Sequence, residues 1–94
     1  SKISILNATD MSVGSAIKVN DRTGQTNLTY GFWNPGIYLY PGKTTGAPST
    51  YDGLLLVFKS ASGSFCKVAF GFDCKIYMLR QSSDGTITQN WVQI

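Results

Sequence analysis

The sequence predicts an all-β fold, a small antiparallel β-sandwich or meander. Three observations predict it. Helix-favouring surface residues are scarce: the 94 residues contain no Glu, and only 14% are charged, against ten Gly, five Tyr and five Phe. The second half of the chain carries a continuous apolar run of strand length, 53–60, and then a segment, 64–72, whose side chains alternate with the period of two of a strand. Short Ser, Asp and Gly clusters separate the apolar runs at hairpin spacing. A chain of this length forms one domain, 1–94, which reads as a piece of a longer protein because it starts at Ser1. Such a domain buries only about two thirds of its unfolded surface, so an oligomeric partner would add to a modest core.

The elements follow in chain order. Ile3–Leu6 (ISIL) reads as a short strand, and Ser15–Val19 as a second strand or a lone helical turn. Residues 20–27, NDRTGQTN, form a polar loop. Asn20 and Asp21 hint at a calcium loop, but the alternating oxygens ending in Glu are missing, so a turn is expected and no metal. LTYGFW (28–33) reads as a strand. Asn34-Pro35-Gly36-Ile37 suits a type II turn, with Pro second and Gly third, and Tyr40-Pro41-Gly42-Lys43 suits another. Between them IYLY is a strand, with Ile37 and Leu39 expected inside and Tyr38 and Tyr40 on a wet or interfacial face.

GLLLVFKS (53–60) is an apolar run of strand length. After the turn Ala61-Ser62-Gly63, SFCKVAFGF (64–72) puts Cys66, Val68, Phe70 and Phe72 on one side and Phe65, Lys67, Ala69 and Gly71 on the other. Asp73 opens another tight turn. KIYMLR (75–80) then sets Ile76 and Met78 against Tyr77 and Leu79. Ser83-Asp84-Gly85 is a strong hairpin signal, since Gly accepts the positive φ that such turns require. TITQNWVQI (86–94) closes a four-strand meander. Trp91 is expected in the core, its indole N–H needing a single partner.

Composition also bounds the chemistry. Without His, no Ser-His or Cys-His nucleophile can be assembled within the chain. Its five acidic residues, all Asp, sit mostly beside turn residues, so no catalysis is expected in this domain. Two Cys and no His do not make an ordinary zinc site, and no cofactor is expected. Cys66 and Cys74 are expected to be half-buried free thiols, because disulfide-stapled scaffolds carry more Cys. The net charge of +3 is spread along the chain without a cluster, which disfavours nucleic acid. No run approaches the roughly 18 apolar residues of a membrane span. Asn7-Ala8-Thr9 and Asn27-Leu28-Thr29 match the N-glycosylation triplet, which matters only in a eukaryotic secretory setting.

Aromatic rings beside placed polar groups suit a sugar: the rings cover C–H faces, and carboxylates, amides and cations fix the hydroxyls. The candidate ligand-binding residues are Trp33, Tyr38, Tyr40 and Tyr51, with Asn34, Asp52, Arg22 and Lys43 as polar partners. The competing reading of each ring is core or interface packing.

The order of elements resembles the small knob-like domain near the C-termini of bacteriophage tail fibres, tailspikes and pyocin fibres. The residues that carry the resemblance are Gly36 with Tyr38, Ala47-Pro48, Gly53 before Leu54–Phe58, the strand Phe65–Phe72, Tyr77 with Arg80, and Trp91. Lys67 stands where the family often has Gln, and Ile87 or Thr88 where a first Trp is expected. The resemblance spans about Gly36 to Ile94. It implies the C-terminal part of a homotrimeric fibre or tailspike, assembled in the bacterial cytoplasm and acting outside the cell on the virion tail. Its partner would be a bacterial surface polysaccharide, lipopolysaccharide or capsule. The alternative it implies is a trimerisation or structural cap, with binding or depolymerase activity elsewhere in the parent chain.

Overall fold

The structure, a computed structural model, describes residues 26–31 and 33–94. The readings for 3–6, 15–19 and 20–25, including Arg22, and the triplet at Asn7 lie outside the described residues. Five strands follow in order: β1 (Gly36–Tyr40), β2 (Gly53–Lys59), β3 (Phe65–Gly71), β4 (Ile76–Gln81) and β5 (Ile87–Gln93). They form one antiparallel meander with the sheet order of the chain, so of the two expected architectures the meander is the one observed. No helix occurs among the described residues.

Three hairpins close this sheet in the same way. At Ser60–Ser64, Gly71–Lys75 and Ser82–Thr86 the first residue's N–H donates to the fifth residue's carbonyl, and the fourth N–H donates back to the first carbonyl. The fourth residue is left-handed each time: Gly63 at φ 92°, Cys74 at 64° and Gly85 at 90°. This is the three-residue loop of a type I turn followed by one αL residue. The turn after β1 differs from expectation. Its left-handed residue is Lys43, at φ 63°, rather than Gly42, and Gly42 N–H instead donates to Asp52 Oδ1 at 2.6 Å.

Register sorts the side chains into two faces. On the inner face Tyr38, Leu55, Ala69, Tyr77 and Gln93 form one row, and Val57, Lys67 and Leu79 the next. On the outer face Leu39, Leu54, Phe70 and Ile76 form a row, and Ile37, Leu56, Val68, Met78 and Val92 another. The inner face is the core, where Leu55, Val57, Phe65, Ala69 and Leu79 are buried under Leu28 and Trp33 from the preceding loop. Lys59 lies over the Phe65 ring at 5.1 Å and covers one end.

Two expectations are corrected here. In β1 the faces are exchanged: Tyr38 and Tyr40 are buried, Ile37 is half-buried, and Leu39 is 58% exposed. The reason is room. Gly53 sits opposite Tyr40, and a Cβ there would run into the Tyr40 ring, so the missing side chain is the seat of the ring. Residues 28–31 and Trp33 are not in a strand either. Asn27 Oδ1 accepts the N–H and the hydroxyl of Thr29 at 3.0 and 2.8 Å, and Tyr30 N–H returns to the Asn27 carbonyl, which turns the chain.

That loop is pinned by two buried polar side chains. Lys67 Nζ donates to the carbonyls of Leu28 and Tyr30 at 2.9 and 2.6 Å, and Gln81 Nε2 donates to those of Thr29 and Gly85 at 2.9 and 3.0 Å. Three consecutive carbonyls of a non-helical, non-sheet segment thus find donors beneath them, as buried backbone requires. Trp91 packs against the core edge and donates its indole N–H to the Gly46 carbonyl at 2.7 Å, as the sequence suggested. Both cysteines are free, Cys66 half-buried and Cys74 exposed rather than half-buried.

Candidate functional site

The candidate site lies where β1 ends, β2 begins and β3 ends. Leu39, Leu54 and Phe70 are cross-strand neighbours on the outer face. Beyond them the chain leaves the sheet at Pro41, Asp52 and Phe72, and these six residues enclose most of a cleft of about 790 Å³. That volume suits a small ligand or one to two sugar rings, within the roughly 300–1,000 Å³ of ligand pockets. Gly53 and Gly71 pair with one another beside it and line it.

Local bonds fix the rim. Phe72 N–H donates to the Asp52 carbonyl at 2.9 Å, and Lys43 N–H to that of Thr50 at 3.1 Å. With the Gly42–Asp52 bond they tie the 41–52 loop back on itself. Phe72 is 78% exposed, and Phe70 and Leu39 are each about half exposed. The site therefore offers two aromatic faces, aliphatic walls and one rim carboxylate. Asp52 presents an acceptor, and the rings present apolar surface.

Of the residues expected to bind ligand, the structure brings Tyr40 and Asp52 to the cleft. Tyr51 is exposed beside Asp52. Lys43 lines a neighbouring hollow of about 240 Å³ with Thr26 and Pro41. Asn34 is exposed at the far end of β1, where its carbonyl accepts the Tyr38 hydroxyl at 2.5 Å. Trp33 and Tyr38 are core residues. Their rings meet edge to face at 4.7 Å, and Trp33 donates its indole N–H to the Asn27 carbonyl at 2.8 Å. Neither offers a ring to solvent, so these two ligand-binding expectations are corrected to packing. The residues missed are Leu39, Phe70 and Phe72. The alternation Cys66, Val68, Phe70, Phe72 carried the signal, since it ends on a large apolar side chain past the last paired residue.

The electrostatics are those of a scaffold. Burial raises the Tyr38 and Tyr40 phenols, and the charge of Asp73 raises Tyr40 further. Tyr77 donates to Asp73 Oδ2 at 2.7 Å, which lowers the carboxyl and raises the phenol. Burial pushes Lys67 down to about 8. Each shift comes from packing or a local hydrogen bond, and none of these groups faces another across the open cleft. Among the described residues no three acidic or Cys side chains gather as a metal site. Nor is any helix there long and apolar enough to cross a membrane.

No family model, curated protein sequence or solved structure matches the chain.

Proposed function

We propose that this is a non-enzymatic, carbohydrate-binding module of a bacteriophage tail fibre or tailspike, working in the homotrimer that attaches the virion to a bacterial surface polysaccharide. The observation that carries the reading is the cleft. Phe70 and Phe72 offer stacking surface, and the Asp52 carboxylate at the rim offers an acceptor for sugar hydroxyls. Free Cys66 and Cys74 accord with assembly in a reducing cytoplasm. One shallow site binds weakly, and three copies on a fibre gain by avidity.

Titration of the folded protein with purified lipopolysaccharide or capsule tests this. Phe72→Ala is expected to weaken binding about tenfold or more, the scale of one stacked ring. Asp52→Asn is expected to weaken it less, because the amide oxygen still accepts from Gly42. A folded wild-type protein that binds neither polysaccharide would sink the reading. A second reading, a trimerisation cap with the glycan site elsewhere in the parent chain, is favoured by the apolar outer face of the sheet.

A further inference from the structure

We infer that the cleft selects a 6-deoxyhexose, a neutral sugar unit that carries a methyl group where common hexoses carry a hydroxymethyl group. The inference rests on the carbohydrate reading above and deepens it by naming the sugar class.

The cleft has one acceptor and no side-chain donor. Of its lining residues only Tyr40 and Asp52 have polar side chains. The Tyr40 hydroxyl is closed off from solvent, over the place where Gly53 lacks a side chain. The ionised Asp52 carboxylate accepts and does not donate. The backbone adds little. Pro41 has no N–H, Gly71 N–H donates to the Lys75 carbonyl at 2.9 Å, and Phe72 N–H donates to the Asp52 carbonyl at 2.9 Å. Leu39, Tyr40, Gly53, Leu54 and Phe70 lie in paired strands.

That imbalance selects the occupant. A sugar hydroxyl both donates and accepts. Asp52 can take its hydrogen, but no side chain in the cleft serves its oxygen. Each hydroxyl held there without a partner therefore costs affinity. The sugar that loses least turns few hydroxyls inward and sets apolar groups on the walls. A 6-deoxyhexose does both, because its one exocyclic hydroxyl is replaced by a methyl group. Leu39 and Leu54 are cross-strand neighbours and form a continuous aliphatic wall for that methyl, while Phe70 and Phe72 take the C–H face of the ring.

Charge narrows the class further. Asp52 is the single charged residue of the lining. Its Oδ1 holds the Gly42 N–H at 2.6 Å, which leaves Oδ2 for ring hydroxyls. A uronic acid would set a second carboxylate beside it with no cation in the lining, so an acidic sugar is disfavoured. An acetylated sugar brings a carbonyl oxygen that needs a donor, which the side chains of the cleft do not supply.

Methyl glycosides titrated into the folded 94-residue chain by NMR test this. Those of D-quinovose, D-fucose and L-rhamnose are compared with those of D-glucose, D-galactose and L-mannose, so that only the 6-hydroxyl differs within each pair. At least one 6-deoxy glycoside is expected to bind about tenfold tighter than its counterpart, the scale of one hydroxyl buried without a partner. Equal or weaker binding of the 6-deoxy member in every pair overturns the inference. So does a methyl glucuronide or a methyl N-acetylglucosaminide that binds more tightly than all the 6-deoxy glycosides. Leu39→Ser puts a donor on the exposed part of the wall and is expected to cut the preference to about threefold or less. A folded variant that keeps the full preference overturns the inference, and Leu39→Thr decides in the same way if the serine variant does not fold. Titration with lipopolysaccharide or capsule separates this inference from the reading beneath it. Polysaccharide binding without a 6-deoxy preference overturns the inference and leaves the carbohydrate reading standing. Binding of neither polysaccharide nor any glycoside overturns both.

Discussion

The two faces of this sheet are built from similar residues and do different work. The inner face mixes aromatics, aliphatics, three glycines and two buried polar side chains, and it is covered by a loop whose carbonyls those polar groups hold. The outer face is nearly all aliphatic and aromatic, buried at Val68, half-buried at Ile37, Leu56 and Met78, and exposed at Leu39, Phe70, Ile76 and Val92. Hydrophobicity does not separate them. What does is complementarity: the inner face has shaped seats and matched donors, whereas the outer face has area alone.

The widest gap between them should appear on truncation. Leu55 is fully buried on the inner face, and Leu55→Ala is expected to cost about 2–5 kcal/mol by urea unfolding. Leu39, 58% exposed on the outer face, should cost no more than about 0.5 kcal/mol as Leu39→Ala when the protein is dilute enough to be monomeric. Equal losses would show that the outer face is already covered within one chain. Gly53→Ala comes next. Its methyl group meets the buried Tyr40 ring, so overpacking of about 1–3 kcal/mol is expected. The same unfolding curve measures it, and a neutral result would mean the ring is not seated there.

Lys67 gives the inner face a pH signature that the outer face lacks. Burial lowers its ammonium from 10.5 to about 8. The folded state thus sheds the proton before the unfolded chain does, and the unfolded state holds more protons between those values. Stability from this group therefore rises with pH across that window, by about 1 kcal/mol between pH 8 and 9. Cys66 and the buried tyrosines have raised values, so they act in the opposite direction above about pH 9 and 10. The clean interval is pH 8 to 9. Unfolding of wild type and Lys67→Met there should differ in slope, and identical slopes would show that Lys67 is not buried as a cation.

The legible parts of the fold were local. Gly63 and Gly85 marked their hairpins because a positive φ excludes most other residues, and the strands of the second half could be read from apolar or alternating runs of strand length. The choice of faces was not legible. Where both sides of a strand are apolar, alternation gives two faces and no sign. Nothing local places Lys67, because its partners are carbonyls 37 and 39 residues away. In β1 the aliphatics were assigned to the core, but Gly53 on the neighbouring strand leaves room for a tyrosine instead. The site was half legible for the same reason. Asp52 and Tyr40 were named from composition near turns, whereas Phe72 belongs to the cleft because β3 ends just before it.

The hairpins support both faces equally, so a change in one of them should raise stability without altering the contrast. Cys74 holds the left-handed position that Gly occupies in the other two turns, at φ 64°. An L-residue with a Cβ is strained there by about 1–2 kcal/mol, and Gly is not. Gly also gives the unfolded chain more freedom, which offsets about half of that gain. Cys74→Gly is therefore expected to add somewhat under 1 kcal/mol to unfolding stability. Cys74 is exposed in the turn after β3, away from the outer-face rows, so association of the proposed homotrimer by light scattering should stay the same. A gain in stability accompanied by weaker assembly would mean that this turn is part of the subunit contact, at the end of the sheet that carries the cleft.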